Sequence, residues 1–264
     1  RGRPGKPCEN HSQETLMGID LFKQKFGYEI EGMWLPRVTA ITSIISKFPF
    51  ALKETGGFRD RLAWGTQVHE FVGGMLQGSE YKASEHDPQL APIAAALHSW
   101  QKEYDVELLD SERDVERRVH DREQMYAGTV DAVARVGEKK GLIEIKTGTQ
   151  LAPEYLLQTA GYFNALVRES GAQYDTRWIL RIDQYEECEG CLAKRRRRGH
   201  SSFLQGGLEI CNHQWGVAKA DFEFLELPEY KQDLRAFFAA KEIWEWHNRN
   251  HLRKIINYPK RHAV

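Results

Sequence analysis

The apolar positions of this chain change period several times, and each change marks an element. Residues 1–20 carry turn formers without sustained periodicity, which predicts a mobile lead-in. Tyr28–Leu35 alternates weakly, as a strand does, until Pro36 interrupts it; Thr39 is placed to cap a helix over Ala40–Lys47. A helical period covers Phe58–Leu76, although Gly65, Gly73 and Gly74 interrupt it. Each glycine costs roughly 1 kcal/mol relative to alanine there, so each needs a reason. A further helix is predicted over Pro88–Tyr104, with Pro88 in the first turn, where the missing N–H does no harm. The period then becomes two. Val106–Arg118 reads as extended, Met125–Val136 as a strand, Gly137–Gly141 as a turn and Leu142–Lys146 as the returning strand. Pro153–Glu169 is strongly helical and Thr176–Asp183 is a strand. After an interruption at Cys188–Trp215 the strand pattern resumes at Ala220–Leu227, and an aromatic-rich helix from Glu229 to Asn250 closes the series. Helices, a strand meander, a crossover helix, two strands and a helix predict a mixed α/β core.

This order implies one principal domain over residues 28–250, with a lead-in at 1–27, an inserted module at 186–216 and a basic tail at 251–264. A length of 264 residues, 41% hydrophobic and 28% charged, is enough to bury a substantial core. The longest apolar stretches, such as Val38–Ile45 and Ile93–Leu97, fall far short of a bilayer span, and no charged segment leads into an apolar one at the start. A cytoplasmic protein without membrane attachment is expected. The net charge of −1 supplies no global field for a polyanion, so affinity for nucleic acid would rest on local patches. Arg1–Lys6, Lys194–Arg198 and His247–His262 are the candidates, each equally readable as a solvated tail or loop.

The hairpin Met125–Lys146 carries the chemistry. A loop of Gly137–Lys140 sets Val136 opposite Gly141 and Asp131 opposite Lys146, so Asp131, Glu144 and Lys146 share one face. Val130, Ala132, Ala134 and Val136 then join Ile143 and Ile145 on the opposite, buried face, and a slip of one residue would drive Asp131 into that core. Two carboxylates and a lysine gathered on a partly covered sheet are costly unless something offsets them. A divalent cation does so, because carboxylate oxygens are hard ligands suited to Mg²⁺. Such an ion lowers the pKa of a bound water and neutralises charge on a phosphodiester. An isolated Glu-x-Lys, by contrast, is an ordinary surface ion pair. His69 lies between Gly65 and Gly73 on one helix face, and Gln158 and Tyr162 sit four apart on another. Singly, each reads as a packed core residue.

Taken in order, Gly65-x-x-x-His69, Gly128-x-x-Asp131, Glu144-x-Lys146 and Gln158-x-x-x-Tyr162 resemble the RecB-like, phage-type branch of the PD-(D/E)XK nuclease superfamily. The resemblance covers roughly residues 30–183 and resumes at about 219–248. It implies a restriction-endonuclease-like core, a central mixed sheet flanked by helices, cutting DNA with Mg²⁺ or Mn²⁺. By the same resemblance His69, Asp131 and Glu144 would be metal ligands, with the Ile145 carbonyl as a further one. Lys146 would be the catalytic lysine, Gln158 and Tyr162 would organise the site and contact the DNA backbone, and Gly128 would allow close approach. Many relatives place an acidic residue further along the histidine's helix; here that position is Gly73, and Glu70 sits beside the histidine. Relatives with this histidine are often exonucleases, so single strands or duplex ends in a bacterial or phage-infected cell are the implied substrates. The alternative is a non-catalytic nucleic-acid-binding module of a recombination, repair or phage replication complex. No Gly-x-x-x-x-Gly-Lys-Ser/Thr loop is present, so a motor would have to come from a helicase or recombinase partner.

Three of the four cysteines fall inside the insertion, as Cys188-x-x-Cys191 and Cys211-x-His213. Two knuckles flanking a basic β-like stretch are the layout of a structural Zn²⁺ ribbon. His200 is a substitute for His213, and an iron–sulfur cluster on Cys8, Cys188, Cys191 and Cys211 is the rival. Arg195–Arg198 would project from such a ribbon toward nucleic acid or into solvent.

Overall fold

A computed structural model describes residues 18–46 and 56–258. The strands are β1 (Gly27–Ile30), β2 (Met33–Pro36), β3 (Val106–Leu108), β4 (Val115–Asp121), β5 (Tyr126–Val136), β6 (Lys139–Lys146), β7 (Thr176–Glu187), β8 (Lys194–Arg198), β9 (Ser201–Gln205) and β10 (Lys219–Glu226). The helices are α1 (Ile19–Phe26), α2 (Val38–Thr42), α3 (Gly56–Leu76), α4 (Ala91–Tyr104), α5 (Pro153–Ser170), α6 (Lys231–His247) and α7 (Arg249–Leu252). The central sheet runs β3-β5-β6-β7-β8-β9, with β4 also on β5 and β10 also on β7. Only β6 and β7 are parallel in it, because α5 carries the chain back between them. The protein is therefore an α/β fold with a mixed sheet flanked by helices.

Both sheet faces are covered. Leu142 and Val133 pack with Phe163 and Leu166 of α5 and with Phe237 and Trp244 of α6. Ala132, Ile143 and Ile145 pack on the other side with Val68 and Val72 of α3 and with Leu97 and Trp100 of α4. The run Leu142-Ile143-Glu144-Ile145 thus feeds two cores at once, and Glu144 is left only 2% exposed. Gly73 gains its reason here: a Cβ at this position would lie 2.9 Å from Val115 Cγ1, so the glycine lets α3 approach β4.

Several expectations are corrected. The lead-in ends earlier than 27, because Ile19–Phe26 is helical and Phe22 is buried, stacked on His251 at 4.5 Å between ring centroids. Tyr28–Leu35 is a hairpin of β1 and β2 turning at Glu31-Gly32, both at positive φ. The helix expected over Ala40–Lys47 is α2 followed by a 3-10 turn at Ser43–Ile45; Arg37, not Thr39, stands at its N-cap, and Lys47 lies outside the described residues. The basic tail is in part core: Leu252, Ile255 and Tyr258 are buried, and Tyr258 Oη donates to Glu245.

The β5–β6 connection is tighter than predicted. Gly137-Glu138 forms the turn, pairing Val136 with Lys139 and Ala132 with Ile143. The register moves by an even number, so the faces survive while Asp131 stands level with Glu144 instead of Lys146. Val130 joins the core containing Val133 and Leu142, away from Ala132. Beside this point Glu116 of β4 takes a φ of 50°, a local kink that breaks strict alternation.

The excursion beyond β7 opens and closes at a bridge between Cys188 and Trp215 and contains the antiparallel hairpin β8–β9. Its arginines do not project freely. Arg196 is buried and forks onto Asp183 at 2.7 and 2.8 Å, Arg198 is buried against Gln184 O at 3.2 Å, and Arg195 and Arg197 both reach Glu186. Ser201 Oγ donates to Asp60, tying the hairpin to α3. No helix among the described residues is long and apolar enough to cross a membrane.

Candidate functional site

Beyond Ala132↔Ile143 the β5–β6 ladder ends, and a side chain replaces the next backbone acceptor: Ile145 N–H donates to Asp131 Oδ2 at 2.6 Å. The other oxygen, Asp131 Oδ1, lies 3.1 Å from His69 Nδ1 on α3. One carboxylate therefore links the strand to the helix, while the Ile145 side chain packs in the core. Across β4–β5, the pairs Val115↔Ala132 and Arg117↔Val130 bracket Glu116, whose level partner is Asp131. His69, Glu116 and Asp131 offer ligand atoms all within 4.8 Å of one another. Glu116 was not anticipated. Its placement depends on strand register and on a strained positive φ, and neither is written in local sequence.

Glu144 lies outside that 4.8 Å group. Its Oε1 accepts from Lys146 Nζ at 2.6 Å and from Gln158 Nε2 at 2.6 Å. Its Oε2 is buried without a hydrogen-bond partner among the described residues. Gln158 also accepts from Lys146 at 3.1 Å and donates to Tyr162 Oη at 3.1 Å, so α5 holds the lysine through one amide. The Tyr155 ring lies under Lys146 Nζ at 4.5 Å. Tyr155 precedes Gln158 by three residues on the same helix face, a signal the sequence did carry. Arg177, itself buried, anchors this helix by donating to Leu156 O and Thr159 Oγ1 at 2.6 Å and pairing with Asp233 of α6.

Gly128 makes the arrangement possible. A Cβ there would come within 2.7 Å of Tyr162 Cδ1 and closer still to Cε1, so the ring edge can lie against β5 only over a glycine. Gly65 meets only ordinary contact, with Thr147 Oγ1 3.7 Å away. Glu70 is exposed.

Burial pushes the Glu144 carboxyl up to about 7, the Asp131 carboxylate adds to the effect, and Lys146 opposes it. Burial alone would lower Lys146, but the charges of Glu144 and Asp131 outweigh it and hold the ammonium protonated. His69 behaves alike: burial lowers it, Asp131 more than offsets this, and the net shift is upward. Burial and the neighbouring Asp131 raise Glu116, and burial keeps Tyr162 a phenol. A buried carboxylate oxygen without a partner, beside two more carboxylates and an imidazole, fits a hard divalent cation.

The second cluster is at the base of the excursion. Cys188, Cys191, Cys211 and His213 offer ligand atoms within 4.8 Å of one another. Cys188 Sγ lies 3.8 Å from Cys211 Sγ, and Cys191 Sγ lies 3.3 Å from His213 Nδ1. All three thiols are free of disulfides. Burial raises the Cys188 thiol, yet bonds from His213 and from the N–H groups of Gly190 and Cys191 bring it down to about 6. Cys211 is pushed up to about 11, chiefly by its bond with Cys191 and by burial. Such a set favours metal-bound thiolate. Cys8 lies outside the described residues. No protein-family model matches this chain, and no curated protein matches it.

Proposed function

We propose that this protein is a Mg²⁺-dependent deoxyribonuclease of the RecB-like PD-(D/E)XK type, with a restriction-endonuclease-like core. The observation that carries the reading is the partnerless, buried Oε2 of Glu144 beside the Asp131–His69–Glu116 group and a lysine held by Gln158. His69, Glu116, Asp131 and Glu144 would hold the cation. When bound, it supplies a Lewis acid that lowers the pKa of water and neutralises charge on the phosphodiester.

The chain's own groups do the rest. Lys146 remains an ammonium and stabilises negative charge developing on the phosphate. Gln158 and the Tyr155 ring fix its position. Burial of Glu144 excludes water and strengthens each of these interactions. Strand ends or single strands are the substrates that the family resemblance suggests.

The test is digestion of labelled single-stranded, duplex and circular DNA with Mg²⁺ or EDTA. Cleavage that needs the cation and falls at least about a hundredfold in Lys146→Ala is expected. Equal degradation by wild type and Lys146→Ala sinks the assignment, and cleavage of circles sinks the exonuclease part.

We also propose a structural Zn²⁺ on Cys188, Cys191, Cys211 and His213, making the excursion a zinc ribbon. For Zn–S bonds of about 2.3 Å, a tetrahedron has an S···S edge of about 3.8 Å. The Cys188–Cys211 separation is 3.8 Å. An iron–sulfur cluster distributes its ligands over two or more irons and would spread some of the four beyond the 4.8 Å within which all of them lie. Elemental analysis decides, and a brown, iron-bearing protein refutes the zinc reading.

A further inference from the structure

The rung of Glu116 and Asp131 is followed by a second polar rung that the catalytic reading leaves unused. Register sets Arg118 across from Thr129. Each is two residues along from Glu116 or Asp131, on the order of 7 Å along the strands, and the Tyr28 phenol lies near enough to Tyr162 to help raise it. Thr129 Oγ1 is 3.3 Å from Tyr28 Oη. Two guanidinium groups converge on that tyrosine, Arg118 at 3.8 Å and Arg37 at 4.4 Å from the ring centroid. Arg37 is oriented by bonds to Gln24 O at 3.0 Å and Gly27 O at 3.4 Å, and its backbone bridges Ala127 of β5.

Charge balance sets these two apart. Neighbouring Arg117 pairs with Asp114 at 2.9 Å, and Arg122 pairs with Glu31. Among the described residues, neither Arg37 nor Arg118 has a carboxylate within the 4.0 Å ion-pair distance. A tyrosine ring attracts each cation through its π face, but two cations on one ring repel each other. An anion bound beside the ring offsets that repulsion, and the planar guanidinium fork matches phosphate oxygens.

We infer that Arg118, Arg37 and Tyr28 form a subsite for the backbone phosphate next to the one that is cut. This rests on the nuclease reading: with the scissile phosphate at the metal rung, the next phosphate along a strand falls at the arginine rung. Arg118 is the residue to test, because it is exposed and its side chain stacks on Tyr28.

Wild type, Arg118→Gln and Arg118→Lys are compared on a short single-stranded oligonucleotide, by fluorescence anisotropy in Ca²⁺ across a salt series and by cleavage kinetics in Mg²⁺. For Arg118→Gln, Kd rises about tenfold and the slope of log K against log salt flattens by about 0.7, one phosphate contact. KM rises while kcat holds. Arg118→Lys recovers the slope. A neutral methylphosphonate at the neighbouring linkage erases the difference between wild type and Arg118→Gln. If wild type cleaves and Arg118→Gln matches it in Kd, slope and KM, the subsite is overturned and the nuclease reading stands. A wild type that neither binds nor cleaves overturns the nuclease reading and the subsite with it.

Discussion

Gly128→Ala tests the packing on which the candidate site depends. The added methyl would come within 2.7 Å of Tyr162 Cδ1 and 3.3 Å of Val38 Cγ2, and the 3% exposed tyrosine has no room to retreat. Overpacking of this kind costs about 1–3 kcal/mol. Gly128 does not need a positive φ, so alanine also gains about 0.4–1 kcal/mol through the unfolded chain. A net loss on the order of 1–2 kcal/mol follows, or a Tm lower by roughly 2–4 °C per kcal/mol.

Tyr162→Ala alone should cost about 3–5 kcal/mol, as removal of a large buried aromatic does. Adding Gly128→Ala to it places a methyl in the vacated space, so the second change becomes neutral or mildly stabilising. The double-mutant cycle, measured by urea unfolding, should give a coupling on the order of 2 kcal/mol. Additivity within about 0.5 kcal/mol would refute the contact. Tyr162 also accepts from Gln158, which holds Lys146. Gly128→Ala should therefore lower the proposed DNA cleavage at temperatures where the protein remains folded.

Other outcomes follow from the two clusters. In metal-free protein the Glu144 carboxyl should titrate near 7 by carbon-13 NMR, and a midpoint near the ordinary 4.5 would contradict its burial. The folded state keeps that proton to higher pH than the unfolded state, so this group's stability contribution is greatest below pH 4.5 and is lost as pH rises through about 7. Glu116→Gln should weaken Mn²⁺ binding, read by calorimetry, about tenfold or more, whereas Glu70→Gln should leave it unchanged; the reverse result would move the ligand set onto α3. With the proposed zinc absent, Cys188 is free and its thiolate absorbance should titrate near 6 instead of 9. A depressed acid stabilises above its unfolded value and loses that stabilisation as pH falls through about 6, so the metal-free excursion should loosen in mild acid; a midpoint near 9 would remove the His213 and backbone bonds from the account.

Much of the fold was legible because periodicity reports burial locally. The strand patterns at Met125–Lys146, the crossover helix from Pro153 and the excursion from Cys188 to Trp215 all recur in the structure, since each side chain's fate depends on its own neighbours. Spacing puts Asp131, Glu144 and Lys146 on one strand face and Gln158 with Tyr162 on one helix face, because an even strand step and a four-residue helix step each keep two residues together, while their site roles come from the family resemblance. Packing between distant segments was not legible. The hairpin turn is two residues shorter than predicted, and Asp131 consequently meets Glu144's level. Glu116 reaches His69 and Asp131 only through the β4–β5 register and a strained φ. Lys194–Arg198 reads as a basic patch, yet Arg196 and Arg198 are buried because Asp183 lies on the strand beneath them. Leu252, Ile255 and Tyr258 read as tail until Phe22 and Trp34, more than two hundred residues earlier, supply their core. The sequence by itself determined which residues prefer water, which prefer the interior, and which faces they share. Only the tertiary structure decided which charges meet, because that depends on contacts between segments for which no local pattern exists.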